Sequence, residues 1–278
     1  MSSVEHPLAL NSEKHHAFSE RVASHTAAVI NGVLTEGETP EGQIVSSEGV
    51  GVGSACCWKG KKLVLTAKHV LEGANPSDIR FFLRQDRPIE WGTRPSRPTV
   101  EHAVVLAIQE IVLCPSEDLA CVVLGAKESG KRLEFVDLPR DFGDVPPDGS
   151  GTLILGAPTD KAVAIAEGQR PGGQRWRSSA LQVSGCWAVV TSEVPRFFPS
   201  SFDPTRHFLL HYDPAEEGGS LPYGFSGTGV WYRRQKNEPV WSADPVLAGV
   251  ETRWHRESKL MIAVRSEVVR RFLEDEVG

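Results

Sequence analysis

The sequence predicts an all-β protein in two strand-rich halves, with one amphipathic helix before them and one after. Three observations carry that prediction. Short runs rich in Val, Leu, Ile and Cys recur along the 278 residues, each with the length and composition of a strand. The 26 glycines and 19 prolines are spread along the chain and punctuate those runs, the pattern of multi-stranded antiparallel proteins. Between the two groups of runs, Asp137 to Gly151 is rich in proline, glycine and aspartate and poor in apolar residues, which reads as the link between halves.

Composition sets the class. Forty per cent hydrophobic and 24% charged residues suit an ordinary globular chain able to bury a core. Thirty Lys and Arg against 36 Asp and Glu leave a net charge of −6, which gives no general attraction to nucleic acid or anionic membranes, so neither is an expected partner. No apolar run approaches membrane-spanning length, and Met1 to Ala17 is too charged for a signal peptide, so a cytoplasmic location is expected. Five cysteines without Cys-x-x-Cys spacing read as reduced, mostly buried thiols.

Taken in order, Ser12 to Leu34 reads as an outer helix, because Phe18, Val22, Val29, Ile30 and Val33 fall at helical spacings behind a capping Ser12. His15 and His16 within it point about 100° apart and cannot chelate together. First-half strands are expected at Val50 to Trp58, Lys62 to Ala67, Ile79 to Leu83, Val104 to Leu113 and Leu119 to Leu124. Second-half strands are expected at Thr152 to Leu155, Ala162 to Ala166, Leu181 to Thr191, Phe208 to Tyr212, Gly229 to Tyr232, Val246 to Val250 and Leu260 to Val264. A helix from Ser266 to Glu274, with Ser266 as its cap, closes the chain. The domains expected are residues 1–41 as a helical extension, 42–140 as the first β unit and 141–278 as the second with the closing helix.

Three separated segments carry the chemistry. The first, Leu63 to Val70, is an apolar strand that ends in His69. A second, Ser116 to Leu124, puts Asp118 at the mouth of a buried strand. In the third, Gly218 to Gly229, glycines flank Ser226 and let backbone N–H groups converge on a small volume. Together they supply a nucleophile, a general base and an acid to orient the base, the set that acyl transfer by a serine requires.

At these residues the chain resembles the trypsin-like serine peptidases of the chymotrypsin fold. Thr66-Ala67-Lys68-His69 is similar to the family's Thr-Ala-Ala-His, Asp118-Leu119-Ala120 to its Asp-Ile-Ala, and Gly224-Phe225-Ser226-Gly227 to its Gly-x-Ser-Gly. Thr152 to Pro158 resembles a Gly-x-Pro strand end of bacterial members. The resemblance covers Gly42 to Glu274. It implies two antiparallel six-stranded barrels with the site between them, Ser226 as nucleophile, His69 as base, Asp118 as its orienting acid, and the Gly224 and Ser226 N–H groups as oxyanion hole. It places Ser220 at the floor of the pocket for the substrate side chain, where a hydroxyl favours neutral or apolar residues. Glu251 and Thr252 lie on the strand similar to the family's substrate-pairing edge, and Glu216, Glu217 or Glu251 would draw a basic side chain if turned inward. Cofactor and metal are expected to be absent, and the partner is a protein or peptide substrate.

There are departures from the family. Phe225 stands where secreted members carry the acid that pairs with a new N-terminus, so that zymogen switch is not expected. Val70 replaces a family cysteine, and Thr228-Gly229 replaces Gly-Pro. Control then needs another route, of which an activating protein is one. The alternative reading is an inactive peptidase-like module that binds proteins. Other motifs fit less well. Gly125 to Arg132 lacks the Ser or Thr of a phosphate-binding loop. Asp244 and His255 follow Ser226 in α/β-hydrolase order, but position 228 breaks Gly-x-Ser-x-Gly. His207 and His211 have zinc-like spacing without further ligands.

Overall fold

The computed structural model describes residues 12–31, 36–38, 44–46, 50–74, 76, 79–83, 106–125, 133–157, 163–169, 175–180, 184–215, 221–233 and 244–278. Helix α1 spans Ser12–Ser24 and is followed by β1 (Thr26–Asn31), β2 (Glu36–Glu38), β3 (Ile44–Ser46), β4 (Val50–Trp58) and β5 (Lys61–Thr66). The single turn α2 (Lys68–Leu71) leads to β6 (Ile79–Leu83), β7 (Ile108–Leu113), β8 (Ala120–Leu124) and β9 (Val136–Asp137). After α3 (Leu138–Asp141) come β10 (Gly151–Gly156), β11 (Val163–Gln169), β12 (Arg175–Ala180), β13 (Ser184–Thr191), β14 (His207–His211), β15 (Gly229–Arg233), β16 (Pro245–His255) and β17 (Leu260–Arg265). Helix α4 (Ser266–Phe272) runs into a π-helical turn, Leu273–Val277.

In the second half β10-β13-β14-β17-β16-β15 close into a six-stranded barrel, every neighbour antiparallel. The first half lines up six antiparallel strands in the order β6-β1-β4-β5-β8-β7, with β9 parallel on β4, and its end strands are not paired among the described residues. This is the chymotrypsin-like double-barrel arrangement expected above.

The halves share one core. Leu63, Leu65 and Cys121 of the first half lie in the same apolar cluster as Leu153, Leu155, Trp231 and Leu247 of the second, and Phe18 and Val22 of α1 and Val269 and Phe272 of α4 seal it. Burial of that many large side chains is the main force that joins the halves. Phe18 stacks on Trp187 at 6.2 Å between ring centroids.

The first helix is shorter than its periodicity suggests. It stops at Ser24, and Thr26–Asn31 pairs instead with β4 and β6 at the heart of the first sheet. β-branched Thr26, Val29 and Ile30 suit a strand, and the two ladders on either side decide for it. Buried His25 marks the change. Its Nδ1 donates to the Glu134 carbonyl at 3.1 Å, and burial holds its pKa below the usual histidine value.

Ser266 does not cap the last helix. Its Oγ donates to the Gly143 carbonyl at 2.7 Å, which ties the helix to the interbarrel link. That link is ordered by α3, which buries Leu138. The strands β1, β2, β3, β9 and β12 have no counterpart in the apolar runs of the sequence.

Candidate active site

His69 is positioned by the end of β5. Thr66 Oγ1 donates to the Val52 carbonyl at 2.7 Å, Ala67 is extended, and the chain then coils for one turn. Val70 and Leu71 are buried on one side of that turn, which leaves His69 facing outward. Asp118 stands in the bend before β8. Its Oδ1 accepts the His69 backbone N–H at 3.0 Å, and its Oδ2 lies 2.8 Å from His69 Nδ1. Since a carboxylate only accepts, Nδ1 carries the proton and Nε2 is the free lone pair. Burial pushes the Asp118 pKa up, but the two His69 hydrogen bonds and the charges of His69 and Arg253 outweigh it and hold the carboxyl below its ordinary value. Asp118 is therefore ionised at neutral pH.

Ser226 sits in a tight turn whose backbone is bonded on all sides. Phe225 N–H donates to the Pro222 carbonyl, Thr228 N–H to Phe225, Gly227 N–H to Glu251, and Glu251 N–H to Thr228. The Gly224 carbonyl accepts from Ala157 at 3.0 Å and the Ser226 carbonyl from Val52 at 2.9 Å. The N–H groups of Gly224 and Ser226 are taken up by no acceptor among the described residues. Gly224 and Gly227 both have φ of +91°, a region that glycine enters freely.

Two glycines bring this turn against the histidine segment. A Cβ on Gly227 would stand 2.1 Å from Thr66 Oγ1 and 2.7 Å from the Ala67 nitrogen. One on Gly51 would meet the Val70 side chain at 2.4 Å and the Ser226 carbonyl at 2.6 Å. The Ser226 turn and the segment Thr66–Val70 thus meet across the two halves at Gly227 and Gly51, where no side chain larger than hydrogen fits.

The residues around the turn account for two of the departures. Phe225 is buried, with its ring over Gly156, where an added Cβ would lie 2.3 Å from the ring, and 6.5 Å from the Tyr212 ring. It anchors the turn in the second barrel's core by packing rather than by an ion pair. Thr228 is fully buried, and its hydroxyl accepts from Leu155 N–H and donates to the Gly229 carbonyl, each at 3.3 Å. The hydroxyl links the Ser226 turn to β10.

Other candidates lie elsewhere. Ser220, Glu216 and Glu217 are outside the described residues, as is 126–132 of the phosphate-loop-like stretch. Thr252 is buried, and Glu251 is only 1% exposed, with its carboxyl turned away from solvent. His207 is buried with Nε2 3.0 Å from Glu117 Oε2, while its Nδ1 accepts from Asp203 N–H, so both ring nitrogens are engaged. Glu117 also pairs with Arg206. This latch fastens the bend that carries Asp118 to the second barrel, and a glutamate 90 residues from its histidine partner left no mark in the local sequence. His211 is exposed, and His255 bonds Ser258 Oγ. No group of three or more metal-ligating side chains occurs among the described residues. All five cysteines are free, and burial first of all pushes the Cys121 thiol up to about 12, so it stays protonated. No helix among the described residues is long and apolar enough to cross a membrane.

No protein-family model and no curated protein matches the sequence. Among solved structures, the chain is similar to the inactive form of Rv3671c from M. tuberculosis H37Rv, crystallised as a serine-to-alanine mutant. The identity is 13% and the TM-score 0.50, with 95% of this chain and 91% of that one covered. The active form of the Rv3671c protease from M. tuberculosis is matched at 12% identity and a TM-score of 0.48, over 95% of this chain and 85% of that one. With the strand pairing described above, the first of these likenesses gives the chain the chymotrypsin-like double-barrel fold.

Proposed function

We propose that the protein is a serine endopeptidase that hydrolyses peptide bonds through an acyl-enzyme intermediate on Ser226. The observation that carries this reading is the His69–Asp118 hydrogen-bonded pair, on a segment whose Thr66, Ala67 and Val70 pack against the glycines at the Ser226 turn. His69 Nε2 takes the Ser226 hydroxyl proton as Oγ attacks the scissile carbonyl, and later returns it to the leaving amine. Asp118 holds the tautomer and offsets the charge that grows on the imidazole. The Gly224 and Ser226 N–H groups, with no acceptor among the described residues, are suited to the developing oxyanion. Water then repeats the cycle on the ester, with His69 again as base.

In this reading the strand at Glu251 and Thr252 pairs with the main chain of a peptide, and Ser220 supplies a neutral pocket floor that favours apolar or neutral side chains. The domains in this reading are a helical extension at residues 1–41, a first barrel at 42–140 and a second at 141–278. A fluorophosphonate probe tests the reading. Labelling of the chain that disappears in Ser226→Ala is expected. Equal labelling of both forms, or none of the wild type, overturns it and favours a binding module on the same scaffold.

A further inference from the structure

Asp118 stands on a bend that does little to hold itself. Residues 115–118 belong to no helix or strand and take part in no backbone–backbone hydrogen bond among the described residues. The bend is closed only at its base, where Cys114 N–H donates to the Leu119 carbonyl at 2.8 Å. What fixes it comes from two sides. Asp118 faces His69 of the first half. Ser116 and Glu117 are tied to the second half. The Ser116 carbonyl accepts from an Arg206 guanidinium nitrogen at 3.2 Å, the Glu117 carboxylate pairs with that guanidinium, and Glu117 Oε2 accepts from His207 Nε2 at 3.0 Å.

The anchor in the second half is rigid. His207 Nδ1 accepts the Asp203 N–H at 3.0 Å, so Nδ1 carries no proton and the neutral ring presents its N–H at Nε2, toward Glu117. The Asp203 carbonyl accepts from the Arg206 and His207 N–H groups, and Asp203 Oδ1 from the Thr205 N–H and hydroxyl. Arg265 Nε donates to the Pro204 and His207 carbonyls. The Glu117 side chain is only 7% exposed, and a carboxylate removed from water is held firmly by its partners because leaving it unpaired there is costly. We propose that Glu117 is a positioning residue, clamped by Arg206 and His207 so that the bend under Asp118 is set by the second half, which also carries Ser226. This rests on the triad reading of His69, Asp118 and Ser226. With the clamp gone the bend has no other tie to the second half among the described bonds, and Asp118 is free to swing from His69. The neutral His69 ring is then free to carry its proton on Nε2, where it cannot accept one from Ser226.

The test compares wild type with Glu117→Ala, His207→Ala, their double variant, Glu117→Gln and Arg206→Ala. The readouts are kcat and KM on a cleaved library peptide, the fluorophosphonate labelling rate, and the ¹⁵N shifts of the His69 ring nitrogens, which report the tautomer. Glu117→Ala and His207→Ala are each expected to lower kcat and labelling by roughly 10- to 100-fold, the scale of a misplacement of about 1 Å. KM should stay within about twofold, because neither residue is placed against the substrate. The ring shifts of both variants should move toward the Nε2-protonated form. The double variant should lose no more than the worse single one, since both remove the same clamp. Glu117→Gln keeps an oxygen for the His207 N–H and should remain within about threefold of wild type, with its ring shifts. Arg206 is 39% exposed, so Arg206→Ala spares the fold while it removes two of the three ties, and a severalfold loss is expected. Full kcat and unchanged ring shifts in Arg206→Ala and in either folded alanine variant overturn the proposal, as do single effects that multiply in the double variant. If Glu117→Ala and His207→Ala fail to fold, the Arg206→Ala result alone decides. If the wild type is not labelled the triad reading fails, and the ring shifts still decide whether Glu117 sets Asp118 against His69.

Discussion

In the first half of the molecule His69 is held to Asp118 by two hydrogen bonds at a partly open surface, the side chains 46% and 27% exposed. In the second half the turn around Ser226 is locked by six backbone hydrogen bonds and by Phe225 in the core. In the proposed reading the base is aimed by one side chain and the nucleophile by the main chain. The difference teaches where each can be broken: a carboxylate can be altered with the fold intact, whereas the glycines of the Ser226 turn cannot be altered without disturbing the contact between halves.

The largest effect follows from treating the halves as one machine. Ser226→Ala and His69→Ala are each expected to lower peptide hydrolysis by roughly 10⁶-fold, and the double variant to lose little more, because residues that act as a unit are not additive. Rates measured on the three variants check this. Effects that multiply would mean that the halves work independently.

A smaller loss sharpens the contrast from the first half. Asp118→Asn keeps the shape but offers an N–H to His69 and favours the wrong tautomer, so activity falls by roughly 10⁴-fold. The melting temperature of this variant should lie slightly below that of the wild type at neutral pH, since a partly exposed ion pair contributes little. Its Asp118 contribution has a defined window. A depressed carboxyl pKa stabilises above its unfolded value and is lost as pH falls through the lower folded one, so wild type and Asp118→Asn converge in stability in strong acid.

In the second half the corresponding change acts on folding. Gly227→Ala forces a side chain into φ +91° and onto Thr66 Oγ1 and the Val52 carbonyl. A loss of about 2–4 kcal/mol in chemical denaturation is expected from strain and overpacking together. Activity should fall with it, as the Ser226 turn is pushed from Thr66 and Ala67. An alanine variant as stable and active as the wild type would show that the halves are not in contact there.

Much of this architecture was legible. The apolar runs Val50 to Trp58, Lys62 to Ala67, Leu119 to Leu124, Gly229 to Tyr232 and Leu260 to Val264 fall on strands, because a strand buried on both faces writes its burial into consecutive residues. The three motif segments were visible for a different reason: small residues stand before His69 and glycines flank Ser226, where the backbone has to turn, and Asp118 opens an apolar run.

What was missed lacks that local imprint. Thr26–Asn31 has apolar spacings that suit a helix as well as a strand, and only the ladders to β4 and β6 decide. Strand β12, Arg-Trp-Arg-Ser-Ser-Ala, pairs with β11 outside both large sheets and carries no apolar run. Ser266 has the position of a cap, but a carbonyl 123 residues away takes its hydroxyl. Glu251 looked like a residue for the substrate because charge on a strand edge is normally exposed, and its burial depends on which face the register turns inward. The Glu117–His207 latch depends on two segments meeting across the halves.

The account stands most directly on the bond formed at Ser226. Rapid mixing with an activated ester of a cleaved peptide, followed by acid quench and intact-mass analysis, reads that bond. A transient mass increase equal to the acyl group is expected, located on the peptide that contains Ser226 and absent in Ser226→Ala. Hydrolysis that proceeds with no acyl adduct, or with an adduct on another residue, would contradict it.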